Sequence, residues 1–218
     1  MLLEYQGVKI SWLGHDSFKI KNGKTIIIDP FKLRSAPEKA DILLVTHEHF
    51  DHLSLDDIKK VVSEKTTVVA ISSCRSELSK LKVKEVKFVR PGDKVNVDDV
   101  TVEAVPAYNL NKFREPGKVF HPKGDGKAGY IVTVKGVRIY HAGDTDAIPE
   151  MKGLKTDVAL LPVSGTYVMT SEEAAEAAKT INPRLAIPMH YGSIVGSAQD
   201  AEKFKQLATC SVQILTRE

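Results

Sequence analysis

The sequence has little cysteine, little net charge and no long apolar run. Its two cysteines, Cys74 and Cys210, lack C-x-x-C spacing, which excludes a disulfide-framed miniprotein and a cysteine metal cage. Lys and Arg number 31 against 28 Asp and Glu, a net charge of +3. That balance argues against a dedicated nucleic-acid binder. The apolar runs Ile26 to Ile28, Ile42 to Val45 and Val68 to Ile71 fall far short of the roughly 18 residues a membrane helix needs. The N-terminus lacks the basic start and apolar core of a secretory leader, so a cytoplasmic location is expected and no membrane partner. Internal repeats, low complexity and a Pro/Gly/Ser linker are also missing. One domain over residues 1–218 is the expectation.

What is present alternates between two kinds of segment. Short strands are predicted over 8–13, 17–20, 25–29 and 42–46, the last a continuous apolar run suited to a strand covered on both faces. A helix should begin at Ser54, partnered three residues on by Asp57. A strand over 68–71 and a short helix over 73–81 follow. Residues 86–90, 94–97, 100–104, 129–134 and 137–141 read as strands, with turns at Asp98-Asp99 and Lys135-Gly136. The chain then alternates again: strand 158–161, a helix capped by Thr170 and Glu173, strand 185–188, a helix introduced by Gly196-Ser197, and strand 211–215. This pattern predicts an α/β fold with sheets inside and helices on the outer faces.

The segment from Ala107 to Ala128 resists assignment. It carries five cations (Lys112, Arg114, Lys118, Lys123 and Lys127) against two acids, Glu115 and Asp125. Loops this long in a compact domain are usually functional or disordered. Its charge is read as a wall for an anionic small molecule, with His121 beside it. Gly124 to Gly129 matches G-x-G-x-x-G but opens a strand rather than a helix, which excludes a dinucleotide fingerprint.

Three of the seven histidines fall within six residues, His47-Glu-His49-Phe-Asp51-His52. They follow the apolar run 42–45 and precede the capped helix. They therefore occupy the turn at a strand's C-terminal end, where α/β proteins bind ligands. His47 and His49, two apart, can face one way; Asp51 and His52 can face a second centre. Imidazole and carboxylate together suit zinc, manganese or iron. Asp144, in His141-Ala-Gly-Asp-Thr-Asp, and His190, in Pro188-Met-His-Tyr, also end predicted strands.

H-x-H-x-D-H, then G-D-T, then a late strand-end histidine resembles the metallo-β-lactamase superfamily. Trp12-Leu-Gly-His15, Tyr140-His-Ala-Gly-Asp-Thr and Pro188-Met-His-Tyr narrow the resemblance to the metal-dependent hydrolases that include L-ascorbate-6-phosphate lactonase-like proteins. The resemblance implies a four-layer αββα sandwich holding one or two divalent ions, zinc first, with manganese or iron as alternatives. It places His47 and His49 on one ion, Asp51, His52 and His190 on the other, and Asp144 between them. Asn109, in Pro106-Ala-Tyr-Asn, stands where the family has a third histidine for the first ion. Either Asn109 or a substitute such as His121 or His141 completes that site. Asp51 would orient or deprotonate the attacking water, and His15 and His141 would support the ligands from behind or donate protons. The implied reaction is hydrolysis of a small, anionic ester, lactone or phosphodiester. A metallo-nuclease acting on RNA and a non-enzymatic binding protein with a degraded first site are the competing readings. Self-association is left open.

Overall fold

The computed structural model describes residues 2–35 and 38–218. Two seven-stranded sheets carry the fold. The first runs in chain order through β1 (Leu3–Tyr5), β2 (Val8–Gly14), β3 (Ser17–Asn22), β4 (Lys24–Ile28), β5 (Ile42–Val45), β6 (Thr67–Ile71) and β7 (Glu85–Val89). Strands β1 to β4 pair antiparallel, and β4 to β7 pair parallel.

The second sheet contains β8 (Lys94–Val97), β9 (Val100–Pro106), β12 (Ala128–Val134), β13 (Val137–His141), β14 (Val158–Pro162), β15 (Leu185–Met189) and β16 (Ser211–Val212). It repeats the plan of the first, with antiparallel pairs from β8 to β13 and parallel pairs from β13 to β16. The two halves thus share an organisation that no sequence repeat announces. Between β9 and β12 the segment that resisted assignment forms a small hairpin, β10 (Phe113–Glu115) with β11 (Lys118–Val119). Strand β1 was likewise not predicted, and the last strand is shorter than the apolar pattern suggested.

Residues from both sheets join one hydrophobic core. Ile26, Ile27 and Ile28 on β4, and all four residues of β5, are fully buried. Side chains on both faces of these strands are therefore covered, each contributing about 1.5–3 kcal/mol of burial. Helices α1 (Leu55–Val61) and α2 (Arg75–Leu78) follow parallel strands of the first sheet, and α3 (Ser171–Ile181) and α4 (Ala198–Leu207) those of the second. The result is the four-layer αββα sandwich.

Helix starts follow local chemistry. Ser54 caps α1 by accepting from the Asp57 amide. Thr170 and Glu173 exchange capping-box bonds of 3.2 and 2.8 Å at the start of α3. Ala174, Ala175, Ala177 and Ala178 bury a face of small side chains that lets α3 pack close to β14. No helix among the described residues is long and apolar enough to cross a membrane.

Candidate metal centre

The parallel strands of both sheets deliver their C-terminal ends to one place. Beyond β4 comes Asp29, beyond β5 the His47–His52 turn, beyond β13 Asp144, beyond β14 Ser164 and beyond β15 His190. The two-residue turn between β2 and β3 adds His15 and Asp16. His15 and His190 both adopt left-handed backbone, with φ of 52° and 59°. Their turns are also tied together, because the His15 carbonyl accepts from the Trp12 indole at 2.8 Å and from the His190 amide at 3.2 Å.

Two groups of side chains converge here. His47, His49, His121 and Asp144 form one; His15, Asp16, His52 and His190 form the other. In the first, His49 Nδ1 lies 3.1 Å from His47 Nε2 and 3.3 Å from His121 Nε2. Asp144 Oδ2 lies 3.5 Å from His121 Nε2 and 3.9 Å from His47 Nε2. The other oxygen of Asp144 turns to the second group, 3.2 Å from His52 Nε2 and 3.5 Å from His190 Nε2. Asp144 therefore stands between the two.

Burial alone disfavours charge in such a place, yet the carboxylates and imidazoles override it for each other. Burial lowers the pKa of His190, but Asp16 and Asp144 lift it to about 9. His52 rises for the same reason, beside Asp144 and Asp29. Asp144 is held well below the usual carboxylate range by His52 and His190, against burial. Asp16, wholly buried, is pushed up to about 8, the pull of His190 and His52 being too weak to offset burial. His47 and His121 go the other way, depressed by burial, His121 to about 4. They are neutral at physiological pH, the form that ligates metal.

The donor set fits divalent cations. His52 Nε2, His190 Nε2 and Asp144 Oδ1 are buried with no hydrogen-bond partner, an arrangement that is costly unless a cation meets them. Ligand atoms at about 2.0–2.2 Å from a shared ion lie within roughly 4.2 Å of each other, and the separations above satisfy that limit. Outer partners aim the rings. His52 Nδ1 donates to Asp29 at 2.8 Å, His121 Nδ1 to Asn109 Oδ1 at 2.8 Å, and His190 Nδ1 pairs with Ser164 Oγ at 2.9 Å. Each leaves Nε2 facing inward.

Asn109 corrects an expectation. It joins neither group, because its amide is fully engaged. Oδ1 accepts from the His121 ring and from the His121 backbone at 3.0 Å, while Nδ2 donates to Asp146 at 3.1 Å and to the Tyr167 carbonyl at 2.8 Å. His121 occupies the place instead, and Asn109 positions it. His141 supports the site from behind and neither completes the first site nor donates a proton. It is buried away from the cavity, with Nε2 on the Asp16 carbonyl at 2.8 Å and Nδ1 accepting from Gly143 at 3.2 Å, so it has no free nitrogen to donate a proton. Asp51 adjoins the second group, within the same limit. Its Oδ2 is 3.8 Å from His52 Nε2 and accepts from His15 Nε2 at 3.1 Å. His15 and His52, against burial, hold the Asp51 carboxyl down to about 2.

A cavity of about 300 Å³ opens over the first group, lined by His49, Phe50, Asp51, Phe120, His121, Asp144, Tyr167 and Ile194. Phe50 is 68% exposed, and Phe120 packs edge-on to Tyr167 at 4.6 Å. The cations of the 107–128 segment do not line it. Lys112 pairs with Glu173 at 2.6 Å, Lys118 with Glu115 at 2.8 Å and Lys123 with Glu150 at 2.6 Å. Lys127, only 3% exposed, pairs with Glu48. No local pattern announces these partners, nor Asp16 and Ser164, and Asp29 is announced only weakly. A carboxylate directly after an apolar strand, as in Ile28-Asp29, was the one available signal.

A sequence profile of the beta-lactamase superfamily domain matches residues 9–190. The chain belongs to the metallo-β-lactamase superfamily. A UPF0173 metal-dependent hydrolase of Methanoculleus marisnigri is 38% identical over 207 residues, covering 91% of this chain and 88% of the relative. Another from Pyrococcus furiosus is 37% identical over 221 residues, covering 92% of each. The crystal structure of a protein from Parabacteroides distasonis assigned as a metal-dependent hydrolase superposes with a TM-score of 0.85 at 33% identity, over 99% of this chain and 98% of that one. Like these relatives, this superfamily member is a metal-dependent hydrolase.

Proposed function

We propose that the enzyme hydrolyses a small ester or lactone whose apolar arm lies against Phe50, Phe120, Tyr167 and Ile194. The cavity lining carries this reading: about 300 Å³ with an apolar wall beside the histidine groups, at the small end of ligand sites. His47, His49 and His121 would hold one ion, and three imidazoles suit zinc. His52, His190 and Asp144 would hold a second. Bound ions polarise the bond to be cut and lower the pKa of water toward about 7.

The chain's own residues do the rest. Asp51 borders the cavity and is ionised, so it would orient the attacking water. His15 is neutral, its pKa lowered by burial to about 4, and its Nε2–H holds the Asp51 carboxylate in place. Preference for an anionic substrate loses its support in the 107–128 segment, whose lysines are already paired; any negative charge on the substrate would be met by the ions.

The test is a panel of nitrophenyl esters of increasing acyl length, aliphatic lactones and a nitrophenyl phosphodiester, assayed with zinc and with manganese. Ester or lactone turnover that rises with apolar length is the expected result. Turnover confined to the phosphodiester would overturn the reading and favour nuclease-type chemistry.

A further inference from the structure

Among the histidines assigned to the ions above, His49 is aimed differently. An outer group bonds the far nitrogen of each of the others, Thr46 Oγ1 serving His47 Nδ1 at 3.0 Å. His49 turns Nδ1 inward, and no described residue bonds its Nε2. It is also only half-buried, whereas the others are buried. Its ring is therefore placed through its backbone. After it, the His49 carbonyl accepts from the His52 and Leu53 amides at 3.0 and 2.8 Å. Before it, Glu48 is held by its side chain from two elements. One oxygen accepts from Ser73 Oγ at 2.7 Å, in the short turn after β6, and the other from Lys127 Nζ.

Lys127 is 3% exposed, a degree of burial lysine almost never reaches unless paired. It stands immediately before β12, and the backbone there is tied on both sides. Its carbonyl accepts from the Ala107 amide at 3.1 Å, and the next amide, of Ala128, donates to the Thr46 carbonyl at 3.4 Å. The glycine run that is no nucleotide fingerprint builds this placement. Gly126 turns the chain through left-handed backbone, with φ of 66°. Gly129 passes so close to β13 that a Cβ would lie 2.6 Å from the His141 and Ala142 carbonyl oxygens. An apolar side chain could fill the place of a buried ion pair without loss of stability. The pair is better read as fixing position than as strengthening the fold.

We propose that Lys127 is a positioning residue for the first ion, holding Glu48 so that His49 Nδ1 faces His47 and His121. This rests on the metallohydrolase reading, in which His49 is a ligand. The 107–128 segment then serves the first site from both ends: Asn109 aims His121 by its ring, and Lys127 aims His49 by its neighbour. His52 and His190 are aimed from outside the segment, by Asp29 and Ser164.

The experiment titrates metal-free wild type, Lys127→Met, Glu48→Gln and the double variant with cobalt. Binding is followed by the visible absorption of the bound ion, ions per chain are counted by elemental analysis, and melting is measured without metal. Lys127→Met should lose first-ion affinity about 10–100-fold, the cost of an outer partner, while the second ion stays. The double variant should lose no more than the worse single one, because both changes break one contact. Without metal, Lys127→Met should melt no lower than the wild type, since methionine fills the space of the lysine stem and a buried charge has gone. Unchanged first-ion affinity, additive losses, or equal weakening of both ions with a lower melting point overturns the proposal and leaves the hydrolase reading standing. Should Lys127→Met not fold, Ser73→Ala removes the other hold on Glu48 from an exposed position. It should weaken the first ion alone, and no change there overturns the proposal. A wild type that binds no cobalt overturns both readings.

Discussion

The two side-chain groups differ in their access to solvent. His47, His49 and His121 meet the cavity, through His49 and His121. His15, Asp16, His52 and His190 are buried throughout. The open group is mostly nitrogen and is aimed by a neutral amide, Asn109. The sealed group mixes nitrogen with carboxylate and is aimed by a second carboxylate, Asp29. One side is arranged to meet a substrate; the other holds charge in a dry place.

Asp144 belongs to both sides, so its loss should break the comparison altogether. Asp144→Asn is expected to abolish binding of both ions, measured by elemental analysis. It should lower kcat/KM by more than the roughly 10²–10³-fold cost of a single electrostatic contact. Asn109→Ala should separate the two sides. Freed from its amide partner, His121 loses its orientation, and affinity for the first ion should fall about 10–100-fold, while the second ion stays. Equal loss of both ions in a metal titration would show that the groups are not independent.

Phe120→Ala touches the substrate wall alone. Losing about 1–1.5 kcal/mol of apolar contact should raise KM for the longest ester about 5–10-fold, with kcat and ion content unchanged. Lys123→Ala should have the smallest effect. Lys123 is engaged by Glu150 at 2.6 Å and lies off the cavity wall, so KM for an anionic substrate should stay within about twofold. A larger rise in steady-state KM would return the 107–128 segment to a role in binding.

Local signals were legible and distant ones were not. His47, His49 and His52 lie within six residues after an apolar strand, so their chemistry and their place could be read together. Ser54 and Thr170 announced α1 and α3 through their own caps. Strands β5 and β6 were apparent as continuous apolar runs, whereas β7, half-buried at the sheet edge, read as part of the hairpin series and pairs parallel to β6 instead. His121 was only one of two alternatives to Asn109, because the two are joined across twelve residues by a hairpin of exposed, unpatterned residues. The lysines of that segment looked unpaired since two of their partners, Glu48 and Glu173, are 79 and 61 residues away. Asp16 was invisible for the same reason: nothing near it in sequence reveals that β15 brings His190 to the same turn.

The left-handed backbone at His15 and His190 sets these residues against the rest of the fold. Each costs about 1–2 kcal/mol that glycine would largely avoid. A library of variants selected for heat resistance alone, with chelator present, should therefore shed these two histidines early. Its survivors would be sturdier proteins in which the chemistry has been erased, and the ease of that erasure measures how strongly the chemistry has been kept.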